Sequence, residues 1–181
     1  MDLSNDSCSK WSLSADPRGV SLTRAFNLLV TLPQSIEEYT TSGSLIRSIK
    51  LDVSIDHPLH AIELSSGQFV VCHWGSTQHR VCVVDTAGRI VHSYGGPPGS
   101  SAGQLNGPFR LAVDTRGCVF VADYNNSRVQ VLSPTLTRLG DVTTPGHQLK
   151  WPFALHLDEL SGRLYVGQQP SNVLVVCVKP A

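Results

Sequence analysis

Gln104-Leu105-Asn106-Gly107-Pro108, Leu111 to Asp114, Gly117, Val119 to Asp123 and Asn125 to Leu132 form the stretch that decides the fold. Short apolar runs bounded by Gly, Pro, Asn and Asp read as a strand, a turn, a second strand, a loop and a third strand. The same order returns on both sides, anchored on proline. Gly117 and Val121 lie 9 and 13 residues after Pro108, Gly67 and Val71 lie 9 and 13 after Pro58, and Gly162 and Val166 lie 10 and 14 after Pro152. A more diverged fourth copy begins at Pro17 and reaches Val30 after 13 residues, with Phe26 where the others carry Gly. Successive prolines stand 41, 50 and 44 residues apart. A period in this range marks a repeat architecture.

Third strands align as Val81 to Val84, Val129 to Leu132 and Val173 to Val176, with Ile36 to Tyr39 as the diverged member. Fourth strands follow polar or Gly turns, Leu45 to Ile49 after Ser42-Gly43 and Ile90 to Tyr94 after Ala87-Gly88. Units this thin exclude water only by stacking, and a radial array stacks them while leaving short edges. The expected fold is therefore all-β, a β-propeller of about four four-stranded blades, with units about 16–51, 56–95, 104–143 and 148–179 behind a polar segment 1–15. Gly67, Gly117 and Gly162 fit hairpin corners that need positive φ. Each proline precedes a first strand, where its missing N–H costs no ladder bond. No segment keeps a 3.6-residue apolar period, so helices are expected to be nearly absent.

At 181 residues the chain is long enough to bury a core, roughly 70% of its unfolded surface at this size. Its 14 basic and 14 acidic residues cancel, which argues against a general attraction to DNA or to an anionic membrane. Ten of the basic residues are Arg, suited to planar contacts. Cys8, Cys72, Cys82, Cys118 and Cys177 show no Cys-x-x-Cys spacing and read as reduced thiols. Residues 1–16 lack the pattern of a signal peptide, and no apolar run approaches the ~20 residues of a membrane span. A reducing, cytoplasmic location is the expectation.

Pro108-Phe-Arg-Leu-Ala-Val-Asp, Gly117, Val121-Ala122-Asp123 and Asn126-Ser127-Arg128-Val129 resemble the NHL repeat almost throughout. The unit at Pro58 carries His73 in place of Asp123, and the unit at Pro152 carries Gly167 for Ala122 and Asn172 for Arg128. The resemblance extends over about residues 16–179 and is similar in particular to the C-terminal NHL region of tripartite-motif proteins, which carry a RING finger, B-boxes and a coiled coil ahead of it. It implies a substrate-recognition part related to ubiquitin ligases, while the sequence offers no zinc-spaced Cys/His array or heptad run from which to expect ligase activity. NHL propellers usually have five or six blades. With four units, and a last one ending at its third strand, either the segment around Ser9 to Ser14 supplies the missing outer strand and the ring closes, or an open arc results, as a truncated product would leave.

In a propeller, the loops before strand one and between strands two and three share a face. From the first set that face is expected to present Arg18, His60, Phe109, Arg110, Lys150 and Phe153; from the second, Trp74, Gln78, His79, Tyr124, Asn125 and Gln168. Aromatics mixed with Arg suit a protein partner, with RNA as the alternative. The competing reading is a solvated rim whose rings pack on neighbouring loops. Asp123, Asn126 and Arg128 read as loop carpentry. No catalytic residue, cofactor or metal is expected. His57, His60, His73 and His79 bring to mind the zinc of peptide-amidating lyases, but the positions matching His60 in the other units are Gly19, Arg110 and Ala154. Gly95 to Gly99 lacks a phosphate loop's Lys-Ser/Thr and reads as a linker.

Overall fold

The computed structural model describes residues 10–178. Four antiparallel meanders make up the chain. The first comprises β1 (Gly19–Leu22), β2 (Leu28–Thr31), β3 (Ser35–Tyr39) and β4 (Leu45–Lys50), and the second β5 (Pro58–Glu63), β6 (Phe69–Trp74), β7 (His79–Val84) and β8 (Ile90–Gly96). The third holds β9 (Pro108–Val113), β10 (Val119–Asp123), β11 (Arg128–Leu132) and β12 (Arg138–Asp141). The fourth has three strands among the described residues, β13 (Pro152–Asp158), β14 (Arg163–Gln168) and β15 (Asn172–Cys177). One 3-10 turn, Tyr124–Asn126, is the helical content of the described residues.

The first strands of all four sheets come together. Ser21, His60, Leu111 and Leu155, one from each, line a common groove of about 240 Å³ that runs along the axis of the array. Each sheet therefore radiates outward from an innermost first strand, which is the blade of a propeller. β1 packs on β5, β5 on β9 and β9 on β13, with no comparable packing of β13 on β1 among the described residues, so the blades follow one another as an arc.

Alternation along each strand divides the apolar residues between the two neighbouring gaps. Phe69, Val71, Cys82 and Val84 pack with Leu29, Ile36 and Ile49 of the first sheet. Val70, Cys72, Val81 and Val83 turn the other way, onto Leu111, Val119, Val121 and Leu132. Ala112, Phe120 and Val129 meet Leu164 and Val166 in the third gap. Interior blades thus need apolar residues on both faces, and this is why Phe69-Val-Val-Cys and Val81-Cys-Val-Val run without a polar break.

The hairpin corners follow the chemistry of Asp and Gly. Asp114 Oδ1 accepts from the Arg116 and Cys118 N–H groups while Gly117, at φ +84°, returns its own N–H to the Asp114 carbonyl. Asp85 does the same through Ala87, Arg89 and Gly88. Phe26 occupies the corresponding corner of the first sheet with φ +61°, a conformation that disfavours a side chain.

The segment considered as an outer strand for the last blade lies elsewhere: Trp11 and Leu13 pack on Leu28, Val30 and Tyr39 of the first sheet, at the opposite end of the arc, and residues 10–14 form no strand. Ser9 and the residues before it lie outside the described range. No helix among the described residues is long and apolar enough to cross a membrane.

Candidate binding rim

Each of the last three blades begins with a residue of left-handed backbone immediately before its proline: His57 at φ +51°, Gly107 at +74° and Trp151 at +44°. Behind it, a side chain at the end of the second strand bonds the main chain two residues before the proline. Asp123 Oδ1 accepts the Asn106 N–H at 2.6 Å, Gln168 Oε1 accepts the Lys150 N–H at 2.8 Å, and His73 Nδ1 lies 3.1 Å from the Asp56 carbonyl, to which its N–H donates. All three side chains are buried. The clasp fixes the loops that carry the rim.

In the third blade the clasp is charged. Asp123 Oδ2 takes hydrogen bonds from Asn126 at 2.8 Å and Arg128 Nε at 2.7 Å, and Arg128 continues to the carbonyls of Ser100 and Gln104 in the linker from the second blade. Burial pushes the Asp123 carboxyl above its ordinary value, against the pull of the Asn106, Asn126 and Arg128 donors. The group spends its hydrogen bonds on its own loop and on the linker, the structural role the sequence suggests.

On the outer side of the clasps, rings connect neighbouring blades. His79 and Trp74 have centroids 5.7 Å apart, Trp74 meets Phe109 edge-on at 6.0 Å, and Phe109 lies 5.9 Å from Tyr124. The Tyr124 hydroxyl then donates to Gln169 Oε1 at 3.2 Å, reaching the fourth blade. All four rings are half-buried, which gives each a rigid seat. Gly107 must be glycine, since a Cβ would come within 2.5 Å of the Trp74 ring. Its N–H donates to His79 Nδ1 at 2.9 Å, and burial holds that imidazole below its ordinary pKa. Asn125 is exposed and joined to Asn106 through side chain and backbone.

Arg18 and Lys150 are exposed. Phe153 is the extra residue of a bulge between Pro152 and Ala154, which turns its ring out toward the same rim. Arg110 is more committed: its guanidinium lies 5.2 Å from the Phe109 ring centroid and donates to the carbonyls of Phe109, Leu59 and Arg18, tying three blades together near the axis. Gln78 and Gln168 do not join the open face; Gln168 is spent on its clasp, and Gln78 Oε1 is enclosed.

His60 does not belong to the rim. It is 8% exposed, because a bulge at Leu59 returns it to the ladder opposite Cys72, facing the third blade. There Nδ1 lies 3.4 Å from the Leu111 N–H. Burial, with the Arg110 charge nearby, depresses its pKa to about 4; burial likewise depresses His73 to about 4, and lifts the Cys72 and Cys82 thiols to about 12. Cys82 Sγ sits 3.7 Å from His73 Nε2. Of the four histidines weighed for metal binding, His60 and His73 are buried against backbone groups, and His57 is exposed and paired with Asp56 Oδ1 at 2.6 Å. Among the described residues no group of three or more His, Cys, Asp or Glu is assembled as a metal site.

Sequence reasoning missed Trp151. It is 46% exposed, in left-handed backbone, with its N–H held by Ser127 Oγ of the third blade at 3.3 Å. The signal was available in Gly107, the glycine before proline in the clearest repeat, which marks the same backbone position.

Residues 105–132 match the NHL repeat. E3 ubiquitin-protein ligase TRIM56 of Homo sapiens is 28% identical over 151 residues, covering 75% of this chain and 19% of that protein. Its Bos taurus counterpart gives 28% identity over 75% of this chain and 20% of its own length. The chain thus resembles the NHL region of a tripartite-motif protein and spans about a fifth of the length of these relatives. Among solved structures, a streptogramin B lyase superposes with a TM-score of 0.57 at 13% identity over 88% of this chain and 53% of its own. A protein of unknown function from Bacteroides caccae gives 0.53 at 16% identity over 91% and 62%. At these identities the likeness is one of fold, and it establishes the propeller architecture.

Proposed function

We propose that this arc is a non-catalytic recognition module that binds a protein partner across the rim of its second to fourth blades, as a substrate-recognition part related to the tripartite-motif ubiquitin ligases. The observation that carries the reading is Trp151. A large exposed aromatic in left-handed backbone opposes folding by about 1 kcal/mol, so its presence is better accounted for by contact with a partner than by stability. Lys150 precedes it in the chain and is exposed, Phe153 is 38% exposed, Tyr124 reaches the fourth blade through Gln169, and Arg18 is exposed at the approach to the first blade, while the Asp123 carboxylate is buried. Aromatic anchors within a basic border fit a peptide segment carrying apolar and acidic residues. The unpaired Cys72, Cys82, Cys118 and Cys177 fit a reducing, cytoplasmic setting.

The test compares proteins captured by the wild-type chain with those captured by Trp151→Gly and by Tyr124→Ala/Phe153→Ala. Trp151→Gly is expected to keep or raise the unfolding midpoint and to lose the specific partners. A partner set unchanged in both variants would overturn the proposal. RNA is the second reading, favoured by the stackable rings beside Arg18 and Lys150. It requires oligonucleotide affinity that falls steeply with salt and disappears in the same variants.

A further inference from the structure

In the third blade two donors share one oxygen: Asn126 Nδ2 at 2.8 Å and Arg128 Nε at 2.7 Å both bond Asp123 Oδ2. Asp123 stands directly across the ladder from Arg128, so their side chains lie on one face of the sheet. In the second blade His73 stands across from Arg80 in the same way, and Gln78 precedes Arg80 by two residues, as Asn126 precedes Arg128. Both amide and guanidinium are therefore kept, with Gln78 for Asn126. The carboxylate is replaced by an imidazole whose nitrogens are directed elsewhere, Nδ1 to the Asp56 carbonyl and Nε2 to Cys82 Sγ.

The loss is visible at the two side chains that remain. Among the described residues three buried side-chain atoms have no hydrogen-bond partner, and two of them are Gln78 Oε1 and Arg80 Nε. Neither side chain is bonded through its other polar atoms, and no carboxylate of the described residues is within ion-pair distance of Arg80. An enclosed N–H on a charged group opposes folding when it has no acceptor, and a buried polar atom left in this condition marks a place that an ion or ligand completes. The Arg80 Nη groups are not closed off, which leaves an approach from solvent.

We propose that Gln78 and Arg80 form a receptor for a carboxylate from outside the chain, which plays the part of the Asp123 carboxylate in the third blade. The site belongs to the second blade and is independent of the reading built on Trp151. A planar carboxylate gives one oxygen to Arg80 Nε and the other to an Nη group, the fork that a guanidinium offers. Turning the Gln78 amide exchanges its Oε1 and Nε2 and supplies a further donor in the role of Asn126. The third blade satisfies its pair with a single carboxylate, and that template favours a ligand bearing this group over phosphate.

Thermal unfolding of the 181-residue chain in a sodium acetate series, at neutral pH and constant ionic strength, tests this. At ten times its Kd, acetate is expected to raise the wild-type midpoint by about 3–6 °C. His73→Asp restores the internal carboxylate and is expected to abolish the rise. Arg80→Met removes the enclosed N–H and is expected to fold with an equal or higher midpoint and to show no rise. The capped peptide acetyl-Gly-Asp-Gly-amide separates the sources: action at a lower concentration than acetate assigns the ligand to an Asp side chain of a partner, and weaker or no action beside an acetate response assigns it to a free small acid. A midpoint indifferent to both, as a bond between Gln78 and Arg80 themselves would leave it, overturns the proposal. So does a rise that survives in either variant, or a response to inorganic phosphate without one to acetate or the peptide.

Discussion

The third and fourth blades use one plan with different margins. In both, the end of the second strand clasps the loop before the proline, through Asp123 in one and Gln168 in the other. Asp123 does so as a buried carboxylate with Arg128 as counter-charge, inside a sheet covered on both faces. Gln168 does so as a neutral amide bonded to Asn172, in a sheet whose outer face is open. The difference teaches that the position specifies a hydrogen bond and leaves the chemistry free, while burial decides how much that bond matters.

The largest break in the comparison comes from deleting both clasps separately. Asp123→Ala leaves Arg128 facing the interior without its partner and is expected to cost about 3–5 kcal/mol in denaturant unfolding. Gln168→Ala removes neutral bonds and is expected to cost about 1 kcal/mol. Equal losses would refute the account.

The second blade supplies a third chemistry and a pH dependence. His73 and His60 are folded in the neutral form with pKa values of about 4 against an ordinary 6.5. As pH falls below 6.5 the unfolded chain takes up protons that the folded chain refuses, so stability drops until pH reaches about 4, by roughly 3 kcal/mol for each residue. His73→Gln is expected to retain a donor and to flatten the urea midpoint between pH 6.5 and 4 relative to the wild type. An unaltered slope would show that His73 titrates normally.

Packing should divide the two blades again. Val121→Ala, at a fully buried position, is expected to lose about 2 kcal/mol, while Val173→Ala should stay within about 0.5 kcal/mol. A corner separates the third blade from the first. Gly117 suits its left-handed turn in the third blade, whereas Phe26 occupies the equivalent corner of the first, so Phe26→Gly is expected to raise the midpoint by up to about 1 kcal/mol equivalent.

The blade plan was legible because proline, glycine and valine recur at fixed offsets, and those residues act through local backbone demands that spacing reveals. The clasp was not, because His73, Asp123 and Gln168 share no chemical type and are united only by what they reach. Offset alone puts His60 on the rim, and the bulge at Leu59 reverses its direction, a one-residue displacement that spacing does not reveal. Phe109, Tyr124 and Trp74 were placed on a common face by loop position, and their ring contacts follow from it.

Each clasp closes within a single blade, tying the end of its second strand to the approach of its own first strand. A unit of this kind brings its own fastening wherever it is inserted. Gene duplication or loss can therefore change the number of units without inventing a new joint, and what must be solved afresh is only how the two ends of the row are finished.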